Sequence, residues 1–408
     1  MPSQPAEIKG SHIPETEYIL PWSGRGLAYV EEDIFAVAEA MRNADPLTQG
    51  KYLARFEQVF SDYHGGLPSF ATSSGAAAIE LAALLMDIQP GDEVIMPAHT
   101  YVASAIPFAR RGAILVWADI DPDTRLVTEE TIRTKYSRRT KAVVVVHLYG
   151  LNAPMDGIMD LARTNGFLVM EDCAQSLGAS YDGQRSGTHG DMACYSFHGQ
   201  KSISTLGEGG AIVVRDPDLA AMVPGLRHNG HRDYSADRED YWLPAMSDVD
   251  FDMVGTWPYN FSIGEPQCAL GVQLMTRLDS LTLRRHGYAR QVIDALRDCR
   301  ELSFQKIPEG STHAYHLLSA RYDGVSNGKT RDDLIRKLAS EYKVQCVVQY
   351  YPLYRYPMFV KAGMGEANCP NTDHFFDNML SLPLYEWFTD EQLEYLIDSV
   401  RKAVVSLR

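Results

Sequence analysis

One lysine stands in an unusual setting, within the stretch CYSFHGQKSISTLGEGG that covers residues 194–210. Lys201 follows a short apolar and aromatic run, although lysine side chains usually lie on solvated surfaces. A phosphate-binding P-loop places its lysine directly after the last glycine, whereas Gly207, Gly209 and Gly210 come after Lys201. This order argues against a nucleoside triphosphatase, and it leaves a surface charge or a nucleophile as the interpretations of this lysine.

Three further features lie at the predicted ends of strands or starts of helices. Asp172 ends the apolar run FLVMED, so a strand would carry its carboxylate to the edge of a sheet. Residues 73–76, SSGA, precede an alanine-rich helix whose free N–H groups could bind a phosphate. Tyr101 follows PAHT and could stack on a flat ring. Each also has a plainer interpretation, as a helix cap for the aspartate and serines and as rim packing for the tyrosine.

Together with Lys201, these features fit one cofactor, pyridoxal phosphate. A lysine with a lowered pKa can form a Schiff base with an aldehyde. A carboxylate at Asp172 would keep the pyridine nitrogen protonated, which makes the ring an electron sink. The helix start at Gly75 and Ala76 would face the phosphate group.

The elements that must position these residues alternate between strands and helices. Two amphipathic helices are predicted first, over residues 29–43 and 51–63. Seven apolar runs, separated mostly by helical patterns, are then predicted as strands: PSFATSS, DEVIMPA, AILVWADI, KAVVVVHLYG, FLVMEDC, MACYSFH and GGAIVVRD. Strands that are apolar on both faces indicate a mainly parallel sheet covered by helices, which binds ligands beyond its strand ends.

The C-terminal part of the chain predicts a smaller α/β domain. One long helical pattern begins near Glu265 and is typical of a helix that joins two domains. After about residue 300, strands are predicted in HAYHLLSARYD and KVQCVVQYYPLY, with two helices between and after them. We therefore expect a large domain over residues 1–280 and a smaller one over 281–408.

Composition excludes several classes of function. The net charge is −15, with 53 acidic against 38 basic residues, which argues against binding to nucleic acid or to anionic membranes. No apolar run reaches the roughly 20 residues that cross a bilayer, and no secretory signal is evident, so a cytoplasmic location is expected. The six cysteines form no C-x-x-C pair and no histidine pair has metal-ligand spacing, so neither a disulfide framework nor a metal site is predicted.

The sequence resembles the DegT/StrS-type sugar aminotransferases, which are fold-type I pyridoxal phosphate enzymes. The resemblance runs from ARFEQVF through SSGAAAIELA, GDEVIMPAHTYVAS, EDCAQSLGA, YSFHGQKSISTLGEGGAIVV and YNFSIGEPQCALGVQL to CPNTDHFFDNMLSLPL. Its most specific part is S-F-H-x-x-K followed by G-E-G-G, combined with E-D-x-A-Q upstream. The resemblance implies a large domain with a mainly parallel seven-stranded sheet, as in aspartate aminotransferase, and a smaller C-terminal α/β domain.

The resemblance also implies a role for each matching residue. Lys201 would hold the cofactor and move protons, and Asp172 would pair with the pyridinium nitrogen. Gln175 would hydrogen-bond the ring hydroxyl, and Tyr101 would stack on the ring. The phosphate would be bound by three positions of one chain and by an asparagine of a neighbouring subunit, and so a homodimer with shared active sites is implied. These phosphate-binding positions are Gly75, Ala76, Ser196 and, from the neighbour, Asn260.

Departures from the family pattern concern the substrate more than the chemistry. Ala76 and Ser262 stand where the family usually has threonine and arginine, and Tyr354 replaces the histidine of a proline-leucine-histidine turn. The loop over residues 227–257 is also longer than usual.

The predicted reaction moves an amino group from glutamate or glutamine to the ketone of a sugar, commonly one linked to a nucleotide in this family. An aminocyclitol ketone is an alternative acceptor, because cyclitol aminotransferases share these motifs. A sugar dehydratase of this family would have histidine in place of Lys201, and a non-catalytic regulator would be expected to lose Lys201 or Asp172. Fold alone does not decide between them.

Overall fold

The computed structural model describes residues 17–231, 239, 242 and 257–408. Most of the long loop predicted over residues 227–257 therefore lies outside the described residues. The strands are β1 Ser69–Thr72, β2 Glu93–Pro97, β3 Ile114–Ala118, β4 Thr140–Val146, β5 Leu168–Asp172, β6 Ser180–Tyr181, β7 Gln184–Arg185, β8 Met192–Ser196, β9 Gly210–Val214, β10 Leu302–Phe304, β11 Ser311–Thr312, β12 Leu318–Tyr322 and β13 Met379–Leu382. The α-helices are α1 Glu31–Asn43, α2 Lys51–Tyr63, α3 Gly75–Leu85, α4 Ile106–Arg110, α5 Glu129–Arg133, α6 Met155–Asn165, α7 Pro217–Arg227, α8 Glu265–Met275, α9 Leu278–Ala295, α10 Arg331–Tyr342, α11 Pro357–Lys361, α12 Pro370–Asn378 and α13 Asp390–Ser406.

The main sheet has seven strands in the order β1-β9-β8-β5-β4-β2-β3. Strands β8, β5, β4, β2 and β3 run parallel to their neighbours in this series, and β9 is antiparallel to both β1 and β8. These are the seven runs predicted as strands, so the predicted mainly parallel, seven-stranded α/β fold is confirmed.

Helices cover both faces of this sheet, as the doubly apolar strands require. In β8, Met192 and Cys194 belong to one hydrophobic cluster, whereas Ala193 and Tyr195 belong to a second cluster on the other face. The alanine-rich helix α3 packs against β8 and β9, and small side chains allow this close approach. The carboxyl ends of the parallel strands consequently meet the N-terminus of α3 at one edge of the sheet.

A third hydrophobic cluster is built from the C-terminal part of the chain and from Leu20. Helices α9, α10 and α13 contribute to it together with the antiparallel sheet β10-β12-β13. The proposed boundary near residue 280 stays a prediction.

Two sequence predictions in this region are wrong in detail. The run KVQCVVQYYPLY forms no strand: Val344 and Val347 make only single bridges, to Leu20 and Ser381 respectively. The long helix expected from Glu265 ends at Met275 as α8, and α9 begins only at Leu278. No helix within the described residues is long and apolar enough to span a membrane.

Candidate active site

A cavity of about 480 Å³ lies at the carboxyl edge of the main sheet. Its wall contains seven of the eight residues predicted for the site: Gly75, Ala76, Tyr101, Asp172, Gln175, Ser196 and Lys201. Positions that are up to 126 residues apart along the chain therefore meet around one space, as expected where parallel strands lead into loops and helices.

Lys201 is half-buried in the turn that follows β8, where its N–H donates to the His198 carbonyl at 2.8 Å. Burial lowers the pKa of the Lys201 amine from 10.5 to about 8, and the negative charge of Asp172 acts in the opposite direction. The N-terminal segment that contains Gly26 packs against this turn, and Gly26 N–H donates to the Gly199 carbonyl at 2.8 Å. A lysine in this environment has an appreciable neutral fraction near physiological pH and can act as a nucleophile.

Asp172 ends β5 and is buried. One carboxylate oxygen accepts the Ser104 hydroxyl at 2.6 Å, and the other accepts the Ala174 N–H at 3.1 Å. Asp172 thus bonds one N–H of the turn that follows, but no helix begins there, so the interpretation of Asp172 as a helix cap is wrong. A carboxylate has about four acceptor sites, so it can still accept a further donor from the cavity.

Gln175 is buried, and its amide is oriented by the backbone. Its Oε1 accepts the Tyr149 N–H at 2.8 Å. That bond leaves the NH2 end of the amide as the group that can donate to a ligand in the cavity.

The N-terminus of α3 forms the anion-binding end of the cavity. Ser74 caps the helix by accepting the Ala77 N–H at 3.1 Å, and no acceptor is found within the described chain for the N–H groups of Gly75 and Ala76. A side chain at Gly75 would place its Cβ only 2.8 Å from the Ser196 Cβ. Glycine is therefore needed here for α3 to approach the end of β8, which sets two free N–H groups beside Ser196.

Tyr101 lies at the open side of the cavity and is 54% exposed. Its ring centroid is 5.7 Å from that of Tyr350 at an angle of 60°. Its stacking on a cofactor ring stays a prediction.

Asn260 is the one predicted site residue that does not line the cavity of its own chain. It is exposed and pairs with His228 in an isolated antiparallel bridge. Its side-chain oxygen accepts the Ser262 N–H at 3.1 Å.

Several residues of the cavity wall were not predicted from the sequence. They are Trp22, Ser23 and Arg25 of the N-terminal segment, Ser104, Arg285 and His316. Neither spacing nor local composition marks them, because each reaches the cavity through long-range packing.

A buried group of potential metal ligands lies behind Asp172 in the described part of the chain. It consists of His147, Glu171 and Cys173. Glu171 accepts His147 Nε2 at 2.8 Å and also three backbone N–H groups, from residues 187, 189 and 190. These bonds occupy the carboxylate, so the group is best explained as a structural hydrogen-bond network.

The donor set of the cavity fits pyridoxal phosphate in its chemistry. The free N–H groups at α3 match a phosphate, the buried Asp172 carboxylate matches a protonated ring nitrogen, and the Lys201 amine matches an aldehyde. Fold and site together therefore define a pyridoxal phosphate enzyme of the aminotransferase class.

Comparison with known proteins identifies the family. The model of the DegT/DnrJ/EryC1/StrS aminotransferase family matches residues 28–401, and the chain belongs to this family. It is 31% identical over 388 residues to the spore coat polysaccharide biosynthesis protein SpsC of Bacillus subtilis, covering 95% of this chain and 96% of that protein. It is also 31% identical over 373 residues to the GDP-perosamine synthase of Caulobacter vibrioides, covering 90% and 94% of the two chains.

Among solved structures, the aminotransferase TlmJ from Streptoalloteichus hindustanus superposes with a TM-score of 0.84 at 27% identity. The match covers 95% of this chain and all of that one. The protein is thus a sugar aminotransferase whose cofactor is pyridoxal phosphate, which confirms the predicted family, enzyme class and cofactor.

Proposed function

We propose that this enzyme transfers the amino group of glutamate or glutamine to the ketone of a nucleotide-linked keto-sugar. The observation that carries the proposal is that Asp172 and the low-pKa amine of Lys201 line the same cavity as the free N–H groups of α3. The relative named GDP-perosamine synthase supports an acceptor that is linked to a nucleotide.

Each residue has a task that follows from its position. When bound, pyridoxal phosphate supplies an electron sink for the electron pair that remains when a C–H bond of the donor breaks. Lys201 Nζ would take the proton from the α-carbon of the amino donor and pass it to the cofactor, and it would later give a proton to the acceptor carbon that receives the amino group. A pKa of about 8 suits the amine to both transfers. Asp172 would hold the proton on the ring nitrogen, and the N–H groups of Gly75 and Ala76 would bind the phosphate.

The test is a screen of keto-sugar nucleotides, free keto-sugars and keto-cyclitols, with glutamate or glutamine as donor and release of the corresponding oxo-acid as readout. We expect turnover with at least one keto-sugar nucleotide and none in the Lys201→Ala variant. Turnover restricted to keto-cyclitols would replace the proposed acceptor by the aminocyclitol alternative. Turnover by Lys201→Ala would show that another residue moves the proton.

We further propose a homodimer in which Asn260 of one chain reaches the phosphate site of the other. Asn260 is exposed and does not line the cavity of its own chain, and the nearby Trp257 and Tyr259 are 85% and 67% exposed. Exposed aromatic residues beside a polar anchor are typical of a subunit interface.

Hybrid dimers test this arrangement. A Lys201→Ala chain co-refolded with an Asn260→Ala chain would give a hybrid dimer in which one of the two sites contains both native residues. Activity is measured at limiting cofactor. If half the dimers are hybrids, about a quarter of the wild-type activity returns, because one site in two is intact in each hybrid. Activity no greater than the sum of the two separate variants would contradict a shared site.

A further inference from the structure

Arg285 is a buried cation in the wall of the cavity. It lies in α9, is 2% exposed, and donates from its two terminal nitrogens to backbone carbonyls only. These acceptors are Gly26 at 2.9 Å, Tyr315 at 3.3 Å and Leu384 at 3.5 Å. Within the described residues, no carboxylate lies at ion-pair distance from this guanidinium.

The charge of Arg285 is therefore balanced only from a distance. Burial lowers the pKa of its guanidinium, and the charge of Glu386 acts in the opposite direction. Glu386 accepts the Ala28 N–H at 2.7 Å and makes no hydrogen bond to the guanidinium. A guanidinium carries five N–H donors in a planar fork, and three bonds leave donors for a ligand. A buried arginine that faces a cavity under these conditions is suited to an anion.

His316 lies in the same wall with an unsatisfied nitrogen. It is 6% exposed, and its Nδ1 is buried without a partner among the described residues. Burial, together with the positive charges of Lys201 and Arg285, lowers the pKa of His316 well below its usual value. The ring is thus neutral and lies in a region of positive potential close to the catalytic amine. An orphaned imidazole nitrogen in this position can donate to an incoming anion.

We propose that Arg285 and His316 bind the α-carboxylate of the amino donor. The inference rests on the proposed function, because it takes an α-amino acid as the donor. The α-carboxylate is bonded to the carbon whose proton goes to Lys201, so its binding groups must lie beside that amine. Arg285 and His316 meet this requirement, because they line the same cavity as Lys201. The anion-binding end at α3 would hold the cofactor phosphate. Of the arginine and histidine side chains in the rest of the wall, Arg285 and His316 are buried, whereas Arg25 and His198 are exposed.

The test uses the cofactor-loaded enzyme and two donors that differ in one group, glutamate and its α-amide, isoglutamine. The concentration dependence of bleaching of the visible cofactor band gives an apparent Kd for each donor. We expect wild-type enzyme to prefer glutamate, because a hydrogen bond to a charged group contributes about tenfold or more in affinity. A wild-type enzyme that neither glutamate nor glutamine bleaches would contradict the proposed function itself, which separates that failure from failure of this inference.

His316→Phe keeps the ring and removes the donor, so it should weaken glutamate binding about tenfold and reduce the preference over isoglutamine. His316→Asn restores a polar group near the Nδ1 position and should recover part of both. Arg285→Gln should act like His316→Phe, and its neighbour Arg284, which does not line the cavity, gives the matched control Arg284→Gln. The His316 variants decide the matter if loss of Arg285 prevents folding.

Two results would overturn the inference. One is an unchanged preference for glutamate over isoglutamine in His316→Phe. The other is a defect confined to the KM for the acceptor, which would assign Arg285 and His316 to the phosphate groups of the nucleotide.

Discussion

Ser104 offers a sharp test of how the site is held together. It is buried and links two other polar residues, with the Thr100 hydroxyl at 3.1 Å and Asp172 Oδ2 at 2.6 Å. An ionised carboxylate can only accept, so the single hydroxyl proton of Ser104 goes to Asp172 and Thr100 must donate to Ser104. Ser104→Ala removes both bonds at once.

The expected loss of stability can be added from these two bonds. A hydrogen bond to a charged group contributes about 1.5–3 kcal/mol, and a neutral one about 0.5–1.5 kcal/mol. We therefore expect Ser104→Ala to lower the free energy of unfolding of the apoenzyme by roughly 2–4.5 kcal/mol. In the loaded enzyme the ring N–H would give Asp172 a second donor beside the Ala174 N–H, so the loss should be smaller.

Chemical unfolding of apo and loaded protein at one fixed chain concentration measures this difference. The control is Ser176→Ala, which removes a buried hydroxyl whose one hydrogen-bond partner among the described residues is the neutral Ser186 hydroxyl at 2.5 Å. The free energy of unfolding of that variant should fall by about 0.5–1.5 kcal/mol, and by the same amount with and without cofactor. A Ser104→Ala loss that is no larger than the control, or that the cofactor does not reduce, would refute the assigned role of Ser104.

Three further predictions follow from the site and its supports. The rate at which the cofactor attaches to Lys201 in the apoenzyme should rise about tenfold per pH unit up to about pH 8 and then level off, and a rate that still climbs above pH 9 would contradict the lowered pKa. The free energy of unfolding of the apoenzyme should rise between about pH 8 and 10.5, because the folded form binds fewer protons there than the unfolded form. Gly75→Ala should lower the unfolding free energy by roughly 1–3 kcal/mol and weaken cofactor retention through its clash with Ser196, whereas Gly24→Ala, which has open space, should do neither. Glu265→Gln should lower the unfolding free energy by roughly 1–3 kcal/mol, because the buried carboxylate accepts three N–H groups at the start of α2 with its two oxygens, whereas the amide keeps only one acceptor oxygen. Unchanged denaturant midpoints would contradict this account.

The sequence predicted the main sheet well because its strands carry their own signal. In β4 the run of valines is buried throughout, and this apolar character is visible without any tertiary information. The run KVQCVVQYYPLY carries a similar signal and still forms no strand. Strand propensity becomes a strand only where a partner supplies a continuous ladder, and here Val344 and Val347 bridge to different partners.

The candidate site shows the same contrast between what a local sequence pattern predicts and what tertiary contacts decide. Residues attached to strong local patterns were predicted: Lys201 before its glycine turn, Asp172 at a strand end, and Gly75 and Ala76 at a helix start. Their roles in binding stay predictions, although seven of the eight predicted residues line one cavity.

The sequence by itself determined the strands of the main sheet along the chain, the ends of those strands that carry polar residues, and the chemistry of lysine, carboxylate and helix N-terminus. It did so because these are local properties of periodicity and residue type. Only the tertiary structure decided that Ser104 orients Asp172 across 68 residues, and that Arg285 and His316 lie in the wall beside Lys201. Those contacts join separate elements through packing, and no local pattern records them. The depressed pKa of Lys201 belongs to the same category, since burial and charge depend on every chain segment that surrounds the amine.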